Sequence, residues 1–339
     1  MRYLKSMNIE ELQEFMAELS YPQFRAKQIF GWIHEKKVDS IDEMNNIPKD
    51  LKETLKTSAI WDDVTIVKTL VSKKDETRKY VCALRNDALV ESVFMKYKHG
   101  NTVCISTQAG CRMGCRFCAS TLEGVECNLT AGEMLSQVYA IEKDCGERIS
   151  GVVMMGSGEP LDNYEASMKF IRLINDPKGH NMGQRHITLS TCGLISKIEQ
   201  LAEEGLQITL AISLHSHDNE TRKQLMPIAK KNPMDDLLLA CEHYMSVTKR
   251  RITFEYALIH GVNDTEGCAK ELAAKLRDMM CHVNLIPMNE VKESRYEKSQ
   301  DMAVSQFMEV LQREGIEVTL RRKLGEDING ACGQLRRGL

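Results

Sequence analysis

Apolar residues Leu12, Phe15, Met16 and Leu19 fall at i, i+3, i+4 and i+7, the spacing of one helical face. Asn8 followed by Glu11 supplies a variant capping box at the start of that helix. A second helix is predicted over 24–36, burying Ile29, Phe30 and Ile33, and a third from Pro48 through Leu55. The rhythm then shortens to alternation. The runs 65–71, 78–84 and 89–95 read as antiparallel strands, with Asn86-Asp87 turning between the last two. From Thr102 onward, apolar strand-length runs alternate with helical segments. Strands are predicted at 102–107, 151–155, 186–191, 207–214, 251–259 and 282–286, with helices such as 131–143, 164–174, 195–204 and 268–279 between them. Six strand–helix units without a hairpin signal imply a parallel sheet. Periodicity does not decide whether that sheet is open or curls into a partial barrel. A last strand at 316–321 leads to a polar, glycine-containing tail. The pattern divides the chain into a helical domain (1–61), an antiparallel extension (62–101), the parallel α/β unit (102–322) and the tail (323–339).

Polar residues cluster at 156–163, 190–191, 213–217 and 287–289, each at or just after the C-terminal end of a predicted parallel strand. That edge is where parallel α/β folds place ligands. A cysteine-rich loop, Cys111 to Cys118, leaves the first of these strands on the same edge.

Composition narrows the class without naming it. With 339 residues, 42% hydrophobic and 27% charged, the chain fits a globular protein with one large core. Its apolar runs, such as 152–155, are too short to span a bilayer, and 1–6 is followed at once by polar helix, so no leader or membrane span is expected. Twelve cysteines without a secretory signal point to metal or redox work in a reducing cytoplasm. The net charge of −3 announces no nucleic-acid binder, so any RNA contact must use local patches.

Cys111, Cys115 and Cys118 are separated by three and then two residues and flanked by Gly110 and Gly114. Thiolate-rich loops of this kind hold zinc or an iron–sulfur cluster. A structural zinc wants four protein ligands; Cys127 or Cys104 could complete such a site. A cluster held by three cysteines instead keeps one iron open to a further ligand. The Cys-x3-Cys-x2-Cys spacing, with Phe117 before the last cysteine, resembles the radical S-adenosylmethionine (SAM) superfamily. The resemblance covers Thr102 to about Asn289. It implies a partial (β/α)6 barrel, a [4Fe–4S] cluster on Cys111, Cys115 and Cys118, and SAM chelated to the open iron, with Phe117 on the adenine side.

The strand-end loops extend the resemblance. Gly156-Ser157-Gly158-Glu159-Pro160 lacks the third glycine of a dinucleotide loop and has proline where a helix would start. It is similar to the superfamily's SAM-amino motif at Gly158 and Glu159, while Ser157 departs from the bulkier residue expected there. Ser190, the run Ser213-Leu214-His215, and Asn289 match further SAM contacts. Taken alone, His215 reads as a hydrogen-bonded structural histidine.

The tail Gly325-Glu326-Asp327-Ile328-Asn329-Gly330-Ala331-Cys332-Gly333-Gln334-Leu335 puts one cysteine among small, flexible residues. Together with 250–256 and 282–287, it resembles the RlmN/Cfr family of radical SAM RNA methyltransferases over nearly the whole chain. That resemblance implies methylation of adenine C2 in 23S rRNA, at the peptidyl-transferase centre, and in tRNA beside the anticodon. It implies catalytic roles for Cys332 as methyl carrier, Cys104 as the resolving thiol and Glu91 as proton acceptor, with a Cys104–Cys332 disulfide as product. Without it, Glu91 reads as the solvent-facing acid of an amphipathic strand. Cys82, Cys127, Cys145, Cys192, Cys241, Cys268 and Cys281 read as structural. The runs 321–323, 249–251 and 230–231 are candidate phosphate contacts, each equally a solvated face. An external electron donor such as flavodoxin or ferredoxin, a monomeric state and no membrane partner complete the expectation. Glu159 to Asn163 and Ser190 to Gly193 favour C2 over the sister C8 activity. The reading of another class is a non-catalytic, zinc-stabilised RNA-binding protein.

Overall fold

The computed structural model describes residues 1–98, 100–289, 291 and 293–335; the last four residues of the predicted tail lie outside them. Asn8 caps α1 (Ile9–Glu18): its side chain accepts from Glu11 N–H at 2.8 Å, and the Glu11 carboxylate accepts from Asn8 N–H at 2.9 Å. The expected second helix is α2 (Phe24–Phe30), continued by a wider turn over Gly31–Glu35 in which Lys36 N–H donates to Gly31 C=O. The third is α3 (Lys49–Ser58). Leu12, Met16, Ile29, Phe30, Ile33, Leu51 and Leu55 are all buried, and they share one apolar core with the barrel's helices.

Asp62 fastens this helical unit to the next. Its carboxylate accepts from Lys5 N–H at 2.7 Å, from Ser6 Oγ and from Thr130 Oγ1 at 3.0 Å, just before α4 (Ala131–Cys145). Burial pushes the Asp62 pKa up, and these donors oppose the rise. Gly132 is required beside it: a Cβ there would fall 2.0 Å from Asp62 Oδ2. Alanine for glycine inside a helix normally stabilises by about 0.8–1 kcal/mol. Gly132→Ala is expected to do the reverse, losing about 1–3 kcal/mol through overpacking. Urea unfolding measures it, and a higher midpoint in the variant would contradict the clash.

Three antiparallel strands come first in the large sheet: β1 (Val64–Val71), β2 (Arg78–Leu84) and β3 (Leu89–Tyr97). β4 (Gly100–Cys104) pairs antiparallel with β3 on one side and parallel with β5 (Gly151–Met154) on the other. Then β6 (Ile187–Thr191), β7 (Thr209–Ser213), β8 (Ile252–Leu258), β9 (Cys281–Pro287) and β10 (Val318–Leu320) each run parallel to the strand before. The ten strands lie side by side in chain order. Between them the chain forms α4, α5 (Tyr164–Asn175), α6 (Ile195–Ala202), α7 (Asn219–Leu225), α8 (Met234–Thr248), α9 (Glu266–Leu276) and α10 (Asp301–Arg313). Parallel crossovers are right-handed, so stepping always in one direction puts the helices on one face and curls the sheet into a partial (β/α) barrel.

The first parallel strand is shorter than its sequence predicts. β4 ends at Cys104 because Gln137 takes over the backbone beyond it, accepting from Ser106 N–H and donating to Ser106 C=O, both at 2.9 Å. Residues Gln108–Gly110 leave the sheet and pair with Val125–Asn128 as a small hairpin. The cysteine loop is the link between those two arms.

Candidate active site

The cysteine loop is held from four directions. Cys111 N–H donates to Gly124 C=O at 3.1 Å, closing the loop's base. Thr121 Oγ1 donates to the carbonyls of Cys115 and Cys118. Arg116 N–H donates to Leu225 C=O on α7 at 2.9 Å. The C-terminal tail lies across the far side, with Ala119 N–H bonding Gly333 C=O at 2.8 Å and Ser120 Oγ bonding Leu335 C=O at 2.9 Å. Gly114 sits at φ +74°, a left-handed turn that needs glycine between the first two thiols.

The three thiols line a single cleft at the C-terminal edge of the parallel strands. Burial pushes the Cys111 thiol up to about 12 and raises Cys115 and Cys118 as well, the neighbouring thiols adding to the rise for Cys115. Three such groups in one place stay neutral unless a cation takes them as thiolates. Among the described residues no three cysteine, histidine or carboxylate groups converge closely enough to hold one ion. A mononuclear zinc needs its sulfurs about 2.3 Å from a single point. A cluster gives each iron its own thiolate, and three sulfurs spread around one cleft fit that donor set.

Across the cleft, the loop after β5 is built for close backbone approach. A Cβ on Gly156 would fall 2.6 Å from Ile105 O, and one on Gly158, at φ +105°, would fall 2.7 Å from Gln108 N. Ser157 is buried and used inward: its N–H donates to Ser106 Oγ at 2.9 Å, and its Oγ accepts from Gly110 N–H at 3.1 Å. The departure from the superfamily motif thus ties the β5 loop to the cysteine loop. Glu159 accepts from Leu161 N–H at 3.1 Å and from Cys192 N–H at 2.8 Å, joining two strand ends. Burial raises its pKa, and the Cys192 bond opposes the rise most.

Gly158, Glu159, Ser190, Ser213, His215 and Asn289 all line the cleft with the three cysteines and Phe117. Leu214 does not: its side chain is in the core and its N–H donates to Glu255 C=O at 3.1 Å. His215, at φ +53°, accepts from Ala257 N–H through Nδ1 at 2.9 Å, which leaves the ring proton on Nε2. Burial, then the charge of Arg222, lowers its pKa to about 3, so it is neutral. Phe117 meets its ring edge-on at 4.9 Å.

Cys332 borders this cleft and also an adjoining one, which Cys104 lines with Val93, Met95, Tyr97 and Leu335. Asn289 holds the tail there by donating to Cys332 C=O at 3.1 Å. Burial, then the neighbouring Cys332, pushes the Cys104 thiol up to about 12. Cys104 and Cys332 are not joined by a disulfide here. Glu91 is buried rather than solvent-facing, 3.0 Å from Lys79 Nζ, and lines neither cleft. Lys79 also donates to Asn329 C=O in the tail.

Besides Leu214 and Glu91, two residues stand differently from their sequence reading, and a third had none of its own. Cys192, read as structural, lines the main cleft beside Glu159. Arg321, read as a phosphate contact, borders both clefts and faces Glu255 at 3.8 Å; the charge of Cys332 is the main influence holding its proton. Glu255 itself was not singled out. It is buried, accepts from Asn284 Nδ2 at 2.8 Å and lines the cleft. Its signal was an acid inside the otherwise apolar strand ITFEYAL.

Two family descriptions match the chain: the radical SAM superfamily over residues 105–269, and the ribosomal RNA large subunit methyltransferase N-terminal domain over residues 3–60. A probable dual-specificity RNA methyltransferase RlmN of Clostridium novyi (strain NT) is 53% identical over 337 residues, covering 99% of this chain and 98% of the relative. Its counterpart in Clostridium perfringens (strain 13 / Type A) is 52% identical over 337 residues, with 99% and 97% covered. The crystal structure of a radical SAM methyltransferase from Sphaerobacter thermophilus superposes with a TM-score of 0.95 at 40% identity, covering 99% of both chains.

Proposed function

Because this chain belongs to the RlmN family of radical SAM RNA methyltransferases, we propose that it methylates C2 of adenosine at two RNA sites. These are 23S rRNA at the peptidyl-transferase centre and tRNA at the adenosine 3′ of the anticodon. The observation that carries the reading is that Cys332 borders both the cleft of the three loop cysteines and the cleft of Cys104. One thiol can therefore receive a group in the first and be released by a partner in the second.

The chemistry calls for such a relay. C2 of adenine is electron-poor and does not attack a methyl sulfonium as a nucleophile, whereas a carbon radical can add to it. Cys111, Cys115 and Cys118 would hold the [4Fe–4S] cluster, and Gly158, Glu159, Ser190, Ser213, His215 and Asn289, which line the same cleft, would bind SAM. When bound, cluster and SAM supply a transferable methyl group and a deoxyadenosyl radical that removes a hydrogen atom. Cys332 is the carrier: its sulfur gives up the thiol proton as the sulfur–methyl bond forms. The same methyl carbon, after losing hydrogen, adds to C2 and joins protein to RNA through a thioether. Glu91 or Cys104 takes the C2 proton; Cys104 lines a cleft that Cys332 borders, whereas Glu91 lies outside both clefts, paired with Lys79. The adduct gives back its unpaired electron to the centre that supplied one at the start, Cys104 attacks the Cys332 sulfur, the sulfur–carbon bond opens toward the RNA, the released carbon takes up a proton to become the methyl group, and the two thiols end as a disulfide.

The same reading takes an external donor such as flavodoxin or ferredoxin as the electron source, and a monomer acting in the cytoplasm. Among the described residues no helix is long and apolar enough to cross a membrane. RNA incubated with the protein, SAM and a reductant is expected to gain 2-methyladenosine, read by mass spectrometry of its nucleosides. Gain of 8-methyladenosine without the 2-methyl product would assign the sister C8 activity instead.

A further inference from the structure

Arg222 on α7 is among the largest fully buried side chains of the protein, yet no carboxylate among the described residues pairs with it. Its Nη2 donates to Cys192 C=O at 2.7 Å and its Nη1 to Asn232 C=O at 3.1 Å; its Nε is buried with no acceptor among the described residues. A guanidinium does not shed its charge inside a protein, and an uncompensated buried charge is strongly destabilising. Burial lowers its pKa, and the nearby thiols of Cys192, Cys115 and Cys241, in that order, oppose the fall. It lines no part of the cleft, so a ligand there does not reach it directly. It sits behind the cysteine loop, on the helix whose Leu225 C=O holds Arg116, and close enough to Gly193 that a Cβ there would lie 3.1 Å from Nη2.

We propose that Arg222 is the buried counter-charge of the thiolate-held cluster and sets its reduction potential. The inference rests on the reading of Cys111, Cys115 and Cys118 as cluster ligands. Three thiolates give an oxidised [4Fe–4S]2+ centre a net charge of −1, and one electron from the external donor makes it −2. A fixed positive charge favours the more negative state, so Arg222 raises the potential and makes that electron easier to accept. Arg222 is a positioning residue by charge, touching neither substrate nor cofactor. Its two carbonyl bonds also brace the loop carrying Cys192 against the turn before α8, which fixes the distance over which the charge acts.

The test is a dithionite titration of the reconstituted full-length protein, following the reduced cluster by electron paramagnetic resonance, beside an iron and sulfide assay. Arg222→Gln is expected to bind iron like the unaltered protein, but with the reduced-to-oxidised ratio at a fixed potential lower by at least tenfold, about 59 mV for one electron. Arg222→Lys keeps the charge and is expected to stay within threefold of the unaltered protein. Cys241→Asp leaves Arg222 in place and sets a carboxylate near it, so it covers the case in which Arg222→Gln does not accumulate. It is expected to lower the ratio in the same direction. An unchanged ratio in either neutralised protein, or equal losses in Arg222→Lys and Arg222→Gln, overturns the proposal and leaves Arg222 a brace for two carbonyls. Absence of iron and sulfide from the unaltered protein would instead overturn the cluster assignment on which it rests.

Discussion

Replacing Cys104 by alanine is expected to leave the protein covalently joined to its RNA. Without the second thiol nothing opens the thioether on Cys332, so each chain can process no more than one adenosine. The adduct should survive denaturation and appear as a shifted band on a denaturing gel, its mass equal to protein plus RNA plus one carbon, because the bridging methylene replaces the thiol and C2 hydrogens. Cys332→Ala, which removes the carrier itself, should give neither adduct nor methylated base while still cleaving SAM. The structure adds a pH dependence. Burial and the Cys332 neighbour push the Cys104 thiol up to about 12, so its thiolate, the attacking form, is a small minority at neutral pH. Release in the unaltered protein is therefore expected to quicken as pH rises from neutrality. Normal turnover by Cys104→Ala would remove Cys104 from this role.

The other large effect lies in the loop. Cys115→Ala is expected to reduce bound iron and sulfide to background and to abolish SAM cleavage and RNA methylation together. The fold should survive, because the hairpin arms, the Thr121 bonds and the Arg116–Leu225 bond hold the loop without the thiol. Unfolding of the iron-free variant should lie within about 1 kcal/mol of the iron-free parent, as for a small substitution that opens no large core cavity. Cys127→Ala, on the hairpin arm with its sulfur 3.4 Å from Asn86 Nδ2, is the control and should keep its iron. Stoichiometric iron and sulfide in Cys115→Ala would remove that residue from the ligand set.

Much of the frame was legible because it depends on local spacing. Asn8 and Glu11 form their capping box through neighbouring backbone groups, so the pair alone predicts it. The strand–helix alternation after Thr102 can be satisfied only by parallel crossovers, and the ten strands duly lie in chain order. Ser190, Ser213, His215 and Asn289 share an edge because each lies at or just beyond the C-terminal end of its strand. The strand at 102–107 was misjudged because its end depends on Gln137, whose amide takes over the backbone of Ser106 from a helix 31 residues away in sequence. Glu91 was ambiguous for a related reason. Alternation separates two faces of β3 but does not say that the tail and Lys79 cover the face carrying the acid.

Three thiols in eight residues, and the order of strands and helices, were determined by the sequence alone, since both follow from covalent spacing and hydrophobic period. What the tertiary structure decided is which distant groups share a charge environment. It brought Cys332 to the boundary between the cleft of the three loop cysteines and Cys104, turned Arg321 from a surface cation into a neighbour of both thiols, and placed Arg222 behind the cysteine loop with no carboxylate among the described residues to meet it. Electrostatic effects depend on distance and burial through space, and neither is encoded in the separation of residues along the chain.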